Sequence, residues 1–415
     1  MYQFPISWVR DSFPALNVGD EFVFFDNGAG AQIPQAVLDA VQKHLILCNV
    51  QRGGKYRHSL QVDAAIQRAR ESVAIFLNAA SPDEVAFGMN ATSFIRMVSL
   101  CMAEIMGNRP EIIVTDIDHE ANIATWLTLE KHGAQIRWWK VRDEDASLHT
   151  DDLVPLLSSR TRLVACALAS NALGSIINVP EVSRLAHSVG AEVFVDAVHY
   201  APHAPLDVQE LDCDYLVCSG YKIFAPHMGF LWGKAAALDV LPTFREDFIP
   251  DRAPMKIEVG TFVYENVAGM DAAIGYLEEL GRRTFPDGQK ESRRELMTNA
   301  MDAIRSYETG LSKQMLTSLQ RLPGITVFGI SDSQKVSGRV PTVSFEANGL
   351  RAPAIAETMA ERSIGVRSGN MYSPRLLKRL GVSEEDGVVR ASLVHYNTAD
   401  EIGRFIEVLS DLIKA

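Results

Sequence analysis

Between residues 21 and 233 the chain alternates short apolar runs with stretches in which apolar residues recur every three or four positions. The runs EFVFF, EVAFGM, EIIVTDID, QIRWWKV, RLVACALAS, EVFVDAVHY, DYLVCSGYK and MGFLWG read as strands. Their continuous apolar character suits a mostly parallel sheet covered on both faces by helices. Val37, Leu38, Val41 and Leu45 recur at helical spacing and predict a helix over 35–48. Ile66, Ala69, Val73 and Phe76 share one face of a second helix, while EFVFF feeds a glycine-rich turn at Asp26–Gly30. Around 264–321 long helical patterns dominate. They are followed by ITVFGI, VPTVSFEA, a helix at 352–363, GVRSG, VVRASLVHY and a terminal helix. The expected organisation is an N-terminal arm (1–20), a large α/β domain (21–270), then linker helices with a smaller α+β C-terminal domain (271–415). No repeat or low-complexity segment interrupts it.

Composition narrows the function classes. Forty basic residues face 52 acidic ones, a formal charge of −12, which argues against nucleic acid or an anionic membrane as partner. A small anionic ligand needs only a local basic pocket. Cys48, Cys101, Cys166, Cys213 and Cys218 are odd in number and dispersed, so they read as reduced residues, and no metal site is expected. MYQFPISWVRDSFP has neither a basic n-region nor an apolar h-region, and no run is long enough to span a bilayer. The expectation is a soluble, cytoplasmic protein.

In an open parallel sheet, ligands gather at the carboxyl ends of strands. The polar residues that end apolar runs are Asn90-Ala91-Thr92, Asp118-His119, Ser170-Asn171, Asp196 with His199, and Ser219-Gly220-Tyr221-Lys222. Lys222 lies between DYLVC and IFAPHMGFLWG. Desolvation there would lower its pKa and free a neutral amine for Schiff-base chemistry, although the local pattern also fits a lysine snorkelling from an edge. Asp196 ends EVFVD, where a carboxylate can keep a pyridine nitrogen protonated or serve as a helix cap. Thr92 opens the helix SFIRMVSLCMAEI, whose free N–H groups suit a phosphate and equally suit an ordinary cap. His119 reads as a core or loop histidine. Arg390, near the start of an apolar strand, reads either as a bidentate carboxylate clamp or as half of a surface ion pair.

Taken together these residues resemble class V aminotransferases of pyridoxal 5′-phosphate (PLP) fold type I, and within them the cysteine desulfurase-like proteins. The likeness spans nearly the whole chain. It rests on FFDNGAGAQIP, DIDHEAN, SNALGS, EVGT (258–261), GVRSG, VVRASLVHYNT and, most specifically, VDAVHYAPHAPLDVQELDCDYLVCSGYKIFAPHMG. It implies that Lys222 holds PLP and later moves the substrate's α-proton, that Asp196 pairs with the ring nitrogen, and that His119 stacks on the ring. It also implies that Asn171 contacts the phenolic oxygen, that Ala91, Thr92 and Ser219 cradle the phosphate, and that Arg390 binds the substrate carboxylate. Thr261 would reach the phosphate of a second subunit, which makes the expected assembly a homodimer.

Three departures from the resemblance matter. His199 stands where desulfurases usually have glutamine beside the ring, and Tyr221 replaces a histidine before the lysine. Both still donate hydrogen bonds. The third departure is GVRSGNMYSPR, with Met371 and Tyr372 around the position of the desulfurase loop cysteine and no cysteine after Cys218. The expected reaction is therefore C–S cleavage by β-elimination on cysteine or a cysteine derivative, with Tyr372 as proton donor to the departing group or as pocket wall. The alternatives are epimerisation, transamination, or a nonenzymatic PLP-binding or sulfur-trafficking scaffold. A dinucleotide-binding dehydrogenase is a weaker alternative still, since GxGxxG is absent after the first strand and DNGAGAQ lacks that spacing.

Overall fold

Side-chain alternation explains the central strands, because successive residues enter different cores. The computed structural model describes residues 4–19, 21–284 and 291–414. A short strand, β1 (Val23–Phe24), precedes the strands of a seven-stranded sheet. These are β2 (Val85–Gly88), β3 (Glu111–Thr115), β4 (Gln135–Trp139), β5 (Thr161–Ala167), β6 (Glu192–Asp196), β7 (Tyr215–Ser219) and β8 (Gly229–Gly233). The spatial order is β2-β8-β7-β6-β5-β3-β4. The pairs from β7 to β4 are parallel, and β8 runs against both its neighbours. Ile113, Val164, Val193, Val195 and Leu216 enter one apolar cluster, while Val114, Leu163, Phe194 and Val217 enter the other. Both faces are dry, as the continuous apolar runs predict, and the fold is the expected α/β class with a mostly parallel sheet.

Two helices, Tyr264–Thr284 and Arg293–Gln320, lead to the C-terminal strands. The second begins at a capping box in which Ser292 and Glu295 satisfy each other's backbone N–H groups. Then come β9 (Ile325–Val327), β10 (Thr342–Ala347), β11 (Ile364–Gly365), β12 (Arg367–Gly369) and β13 (Val388–Ser392). Four of these form an antiparallel sheet in the order β12-β13-β10-β9. The sheet packs with the helices Ala352–Glu361 and Ala399–Lys414 through Phe345, Ile355, Val389 and Phe405.

One local expectation is corrected, and one strand stands apart. The EFVFF run, expected as a strand before a glycine-rich turn, pairs as β1 with β11 outside the seven-stranded sheet, and Phe25 stacks edge-on against Phe405 at 5.9 Å. The stripe on the helix Gln35–Leu47 also splits. Val37 is buried, whereas Leu38 and Leu45 are 45% and 44% exposed. The inward positions are Val37, Val41 and His44, spaced four and three apart; Leu38 and Leu45 sit one position round the cylinder. Gly269 allows this close packing, since a Cβ there would lie 2.9 Å from a Val41 methyl.

The C-terminal sheet carries an unusual pair. Arg367 and Arg390 are direct partners across β12 and β13, so two like charges face one another. Asp26, just beyond β1, lies between them: its carboxylate accepts from Arg367 Nη2 at 2.7 Å and from Arg390 Nη2 at 3.1 Å. Removing this shared counter-charge leaves a buried guanidinium opposite a half-exposed one. Asp26→Asn should lower the unfolding free energy by about 1–3 kcal/mol in a urea titration. An unchanged midpoint would show that the two arginines do not depend on it.

Candidate active site

The parallel strands end on one edge, and their last residues surround a cavity of about 1260 Å³. Ala91 and Thr92 reach it from the start of the helix Ala91–Ile105, and His119 from the turn after β3. Asn171 follows β5, Asp196 ends β6 with His199 just beyond it, and Ser219 ends β7 with Tyr221 and Lys222 just beyond it. Nine of the sequence-derived candidates thus share one cavity. Thr261, Tyr372 and Arg390 do not line it.

Lys222 ends a 3-10 turn (Gly220–Lys222) and is 6% exposed. Its Nζ makes no hydrogen bond to protein among the described residues. Burial first, then the Arg390 charge, pulls its pKa from 10.5 down to about 8, with Asp196 opposing the shift. Asp196 lies in the same desolvated space. Burial raises its pKa, while a hydrogen bond from the Val198 N–H (2.9 Å) and the Lys222 charge favour the carboxylate. Only Oδ1 is engaged by that backbone group, so Oδ2 remains for a ligand.

The wall near the helix start is built for an anion. Asn90 caps the helix by accepting from the Ser93 N–H at 2.9 Å, and the Ala91 N–H donates to Ser219 Oγ at 3.2 Å. The Thr92 N–H has no partner among the described residues, which leaves a backbone donor and a hydroxyl at the positive end of a 15-residue helix. Gly229 permits the approach of β8, because a Cβ there would sit 2.7 Å from the Asn90 backbone.

His119 is set by its turn. The Asp118 carboxylate accepts from Thr115 Oγ1 (2.7 Å), Asn122 Nδ2 (2.6 Å) and the Ala167 N–H (3.0 Å), fastening the end of β3 to that of β5. His119 Nδ1 accepts from the Ala121 N–H at 3.1 Å. Burial, Lys222 and Arg390 lower its pKa to about 4, so the ring is neutral. Tyr372 stacks on it with centroids 5.6 Å apart.

The loop Gly369–Ser373 docks on this turn. Met371 and Tyr372 adopt left-handed φ values of 53° and 57°, a strained conformation for two successive residues with side chains. Three contacts hold them: Asn171 Nδ2 donates to the Met371 carbonyl (2.6 Å), the Glu120 N–H donates to the Tyr372 carbonyl (2.8 Å), and Ser373 Oγ donates to the Asp118 carbonyl (3.1 Å). Asn171 therefore spends part of its amide on the loop. Arg390 is 1% exposed and held by the Asn171 carbonyl at 2.9 Å and by Asp26; its Nε has no partner among the described residues. Thr261 is exposed, with its Oγ1 3.4 Å from Gln51 Oε1.

Sequence reasoning missed Asp26, Ser373, His227 and Thr342. His227 lines the cavity and stacks on Tyr221 at 5.4 Å, and Thr342 hydrogen-bonds His199 at 2.9 Å. Asp26 could have been suspected, since two arginines in neighbouring strands call for a carboxylate. Ser373 and Thr342 carry no signal of their own in the chain.

The family model for aminotransferase class-V matches residues 23–405. The aminotransferase-like protein FGM3 of Gibberella zeae is 35% identical over 98% of both chains, and a probable cysteine desulfurase of Synechocystis sp. is 34% identical over 98% of this chain and 95% of its own. A cysteine desulfurase structure from Thermococcus onnurineus superposes with a TM-score of 0.88 at 26% identity, covering 100% of this chain and 99% of that one. With a buried lysine and aspartate at the ends of adjacent strands and a match across nearly its full length, the chain belongs to the aminotransferase class-V family, with the PLP fold type I architecture.

Proposed function

We propose that this protein is a PLP-dependent enzyme that cleaves the C–S bond of cysteine or a cysteine derivative by β-elimination. The observation that carries the reading is the desolvated Lys222 amine beside Asp196, in a cavity whose neighbouring loop presents Met371 and Tyr372 rather than a thiol. The donor set fits the cofactor. An anion cradle at Ala91, Thr92 and Ser219 lies in the same cavity as a carboxylate able to hold a ring N–H, a flat neutral histidine and an amine.

When bound, PLP accepts the electron pair released at the substrate's α-carbon. Asp196 would support this as an anion whose free oxygen accepts a hydrogen bond from the protonated ring nitrogen. His119, wedged under Tyr372, offers a flat apolar face. Lys222, whose pKa of about 8 leaves a substantial neutral fraction near physiological pH, is the base that takes the α-proton and can return it. Arg390 is the proposed carboxylate anchor on the resemblance alone: Asp26 and the Asn171 carbonyl fix its plane, and it is 1% exposed and does not line the cavity. His199 and Tyr221, which line the same cavity, would border the ring, and Asn171 would have its second amide N–H for the ring's oxygen. Tyr372 stacks on His119 and is the proposed donor to the departing sulfur or a wall of the substrate space.

No thiol on the loop means no persulfide carrier there, so sulfur leaves with its substituent. The balanced outcome for cysteine is cysteine plus water giving pyruvate, ammonia and hydrogen sulfide. The large apolar residues Met89, Leu100, Phe244 and Val259 line the cavity yet are 71%, 61%, 89% and 74% exposed. This supports a homodimer in which a second copy covers the rim and Thr261 reaches the partner's phosphate cradle. Among the described residues no helix is long and apolar enough to cross a membrane.

Two outcomes test the reading. Protein reconstituted with PLP should release pyruvate and ammonia in equal amounts from L-cysteine, L-cystine or a cysteine conjugate. Lys222→Ala should lower the rate by at least about 10³-fold. Absence of pyruvate across that panel would remove the lyase assignment. The rate at which apoprotein takes up PLP should rise with pH and level off above about 8, because the neutral amine is the reactive form and its pKa lies there. A midpoint at 10 or above would show that the amine is not desolvated.

A further inference from the structure

His199 and Thr342 meet across the boundary between the two sheets. His199 follows β6, lines the cavity and is 3% exposed; Thr342 opens β10 of the C-terminal sheet and is fully buried. Thr342 Oγ1 lies 2.9 Å from His199 Nε2. Among the described residues this is the only hydrogen-bond partner of that hydroxyl.

We propose that Thr342 fixes the tautomer of His199: its hydroxyl donates to Nε2, so the imidazole carries its proton on Nδ1 and offers an N–H donor to the cofactor held at Lys222. The inference rests on the PLP reading of the cavity and adds to it the identity of a positioning residue.

Proton accounting gives the direction. A threonine hydroxyl has one proton and two lone pairs, and an idle lone pair costs little. If His199 Nε2–H were the donor, the Thr342 O–H would be left without an acceptor in a residue with no exposed surface, at the cost of an unmade buried hydrogen bond. With Thr342 as donor every proton has a place. The doubly protonated ring is disfavoured as well. Burial first, then the charges of Lys222, His203, Arg390 and His119, hold the His199 pKa well below 6.5; Asp196 and Glu104 are the acidic residues that line the same cavity. His203, edge-on to His199 at 5.8 Å, is itself tied to Glu308 at 2.8 Å and is not a competing partner. The ring is therefore neutral, and its one proton is on Nδ1.

A glutamine at this position needs no such partner, because its amide nitrogen is always a donor. A histidine donates from one nitrogen only, and a neighbour has to choose which. Here the choice is made from the C-terminal sheet, so a strand outside the cavity sets the polarity of a group inside it.

The test compares Thr342→Val, which keeps the shape without the hydroxyl, with Thr342→Ser, which keeps the hydroxyl. In cofactor-free protein labelled with nitrogen-15 histidine, His199 (assigned by its loss in His199→Gln) should show a protonated Nδ1. The Nε2 resonance should move toward that of an unbonded pyridine-type nitrogen in Thr342→Val, where the hydrogen bond it accepts is lost, and not in Thr342→Ser. In the holoenzyme, the pH midpoint of the cofactor's visible band should rise by about 0.3 unit in Thr342→Val, since Nδ1–H loses the polarising hydrogen bond on Nε2 and becomes a weaker donor to the ring's negative oxygen. Thr342→Ser should match wild type, and the Thr342→Val shift should vanish in a His199→Gln background. Wild-type His199 protonated on Nε2, or a Thr342→Ser shift as large as that of Thr342→Val, would overturn the proposal. Failure of wild type to bind PLP would instead overturn the proposed function, and the nitrogen spectra would still decide the tautomer.

Discussion

Lys222 has 6% of its surface exposed, and burial together with the Arg390 charge holds its amine near 8 rather than 10.5. A lysine is easier to leave in water, so the surrounding structure must supply the desolvation. It does so by ending β6 and β7 side by side between two apolar clusters, with Asp196 and Lys222 on the same edge. The carboxylate limits how far the amine is driven toward neutrality, and the amine keeps the buried carboxyl from protonating outright. Neither group would hold a useful ionisation state there alone.

The remaining charges follow from that pair. Arg390 adds a second buried cation, compensated by Asp26 from beyond β1 and, through Asp26, linked to Arg367. The histidines near the cavity are held neutral, with burial the largest cause for His119, His199 and His203 alike. The loop Gly369–Ser373 gives up backbone strain to place Tyr372 over His119, offset by hydrogen bonds from Asn171, Glu120 and Ser373. These contacts join the C-terminal strands to the edge of the large sheet.

The strands and most helices were legible because their signals are local. Apolar runs such as EVFVD and DYLVCS end in a polar residue where the sheet ends, and Lys222 and Asp196 could be placed on one edge from that alone. Partners distant in the chain were not legible. β1 pairs with residues 364–365, Asp26 bridges arginines more than 340 positions away, and Thr342 finds His199 143 positions earlier. Nothing in the local pattern of a threonine in VPTVSFEA marks its hydroxyl as the partner of an imidazole. The left-handed pair Met371–Tyr372 was hidden for another reason: neither residue type favours that conformation, and tertiary hydrogen bonds impose it.

The central claim is that one buried amine, Lys222, takes the cofactor. Reconstituting the protein with PLP, reducing it with borohydride and mapping the modified peptide by mass spectrometry tests this most directly. The account predicts one reduced pyridoxyl group per chain, located on the peptide carrying Lys222 and lost in Lys222→Ala. A label on another lysine, or none at all, would contradict it.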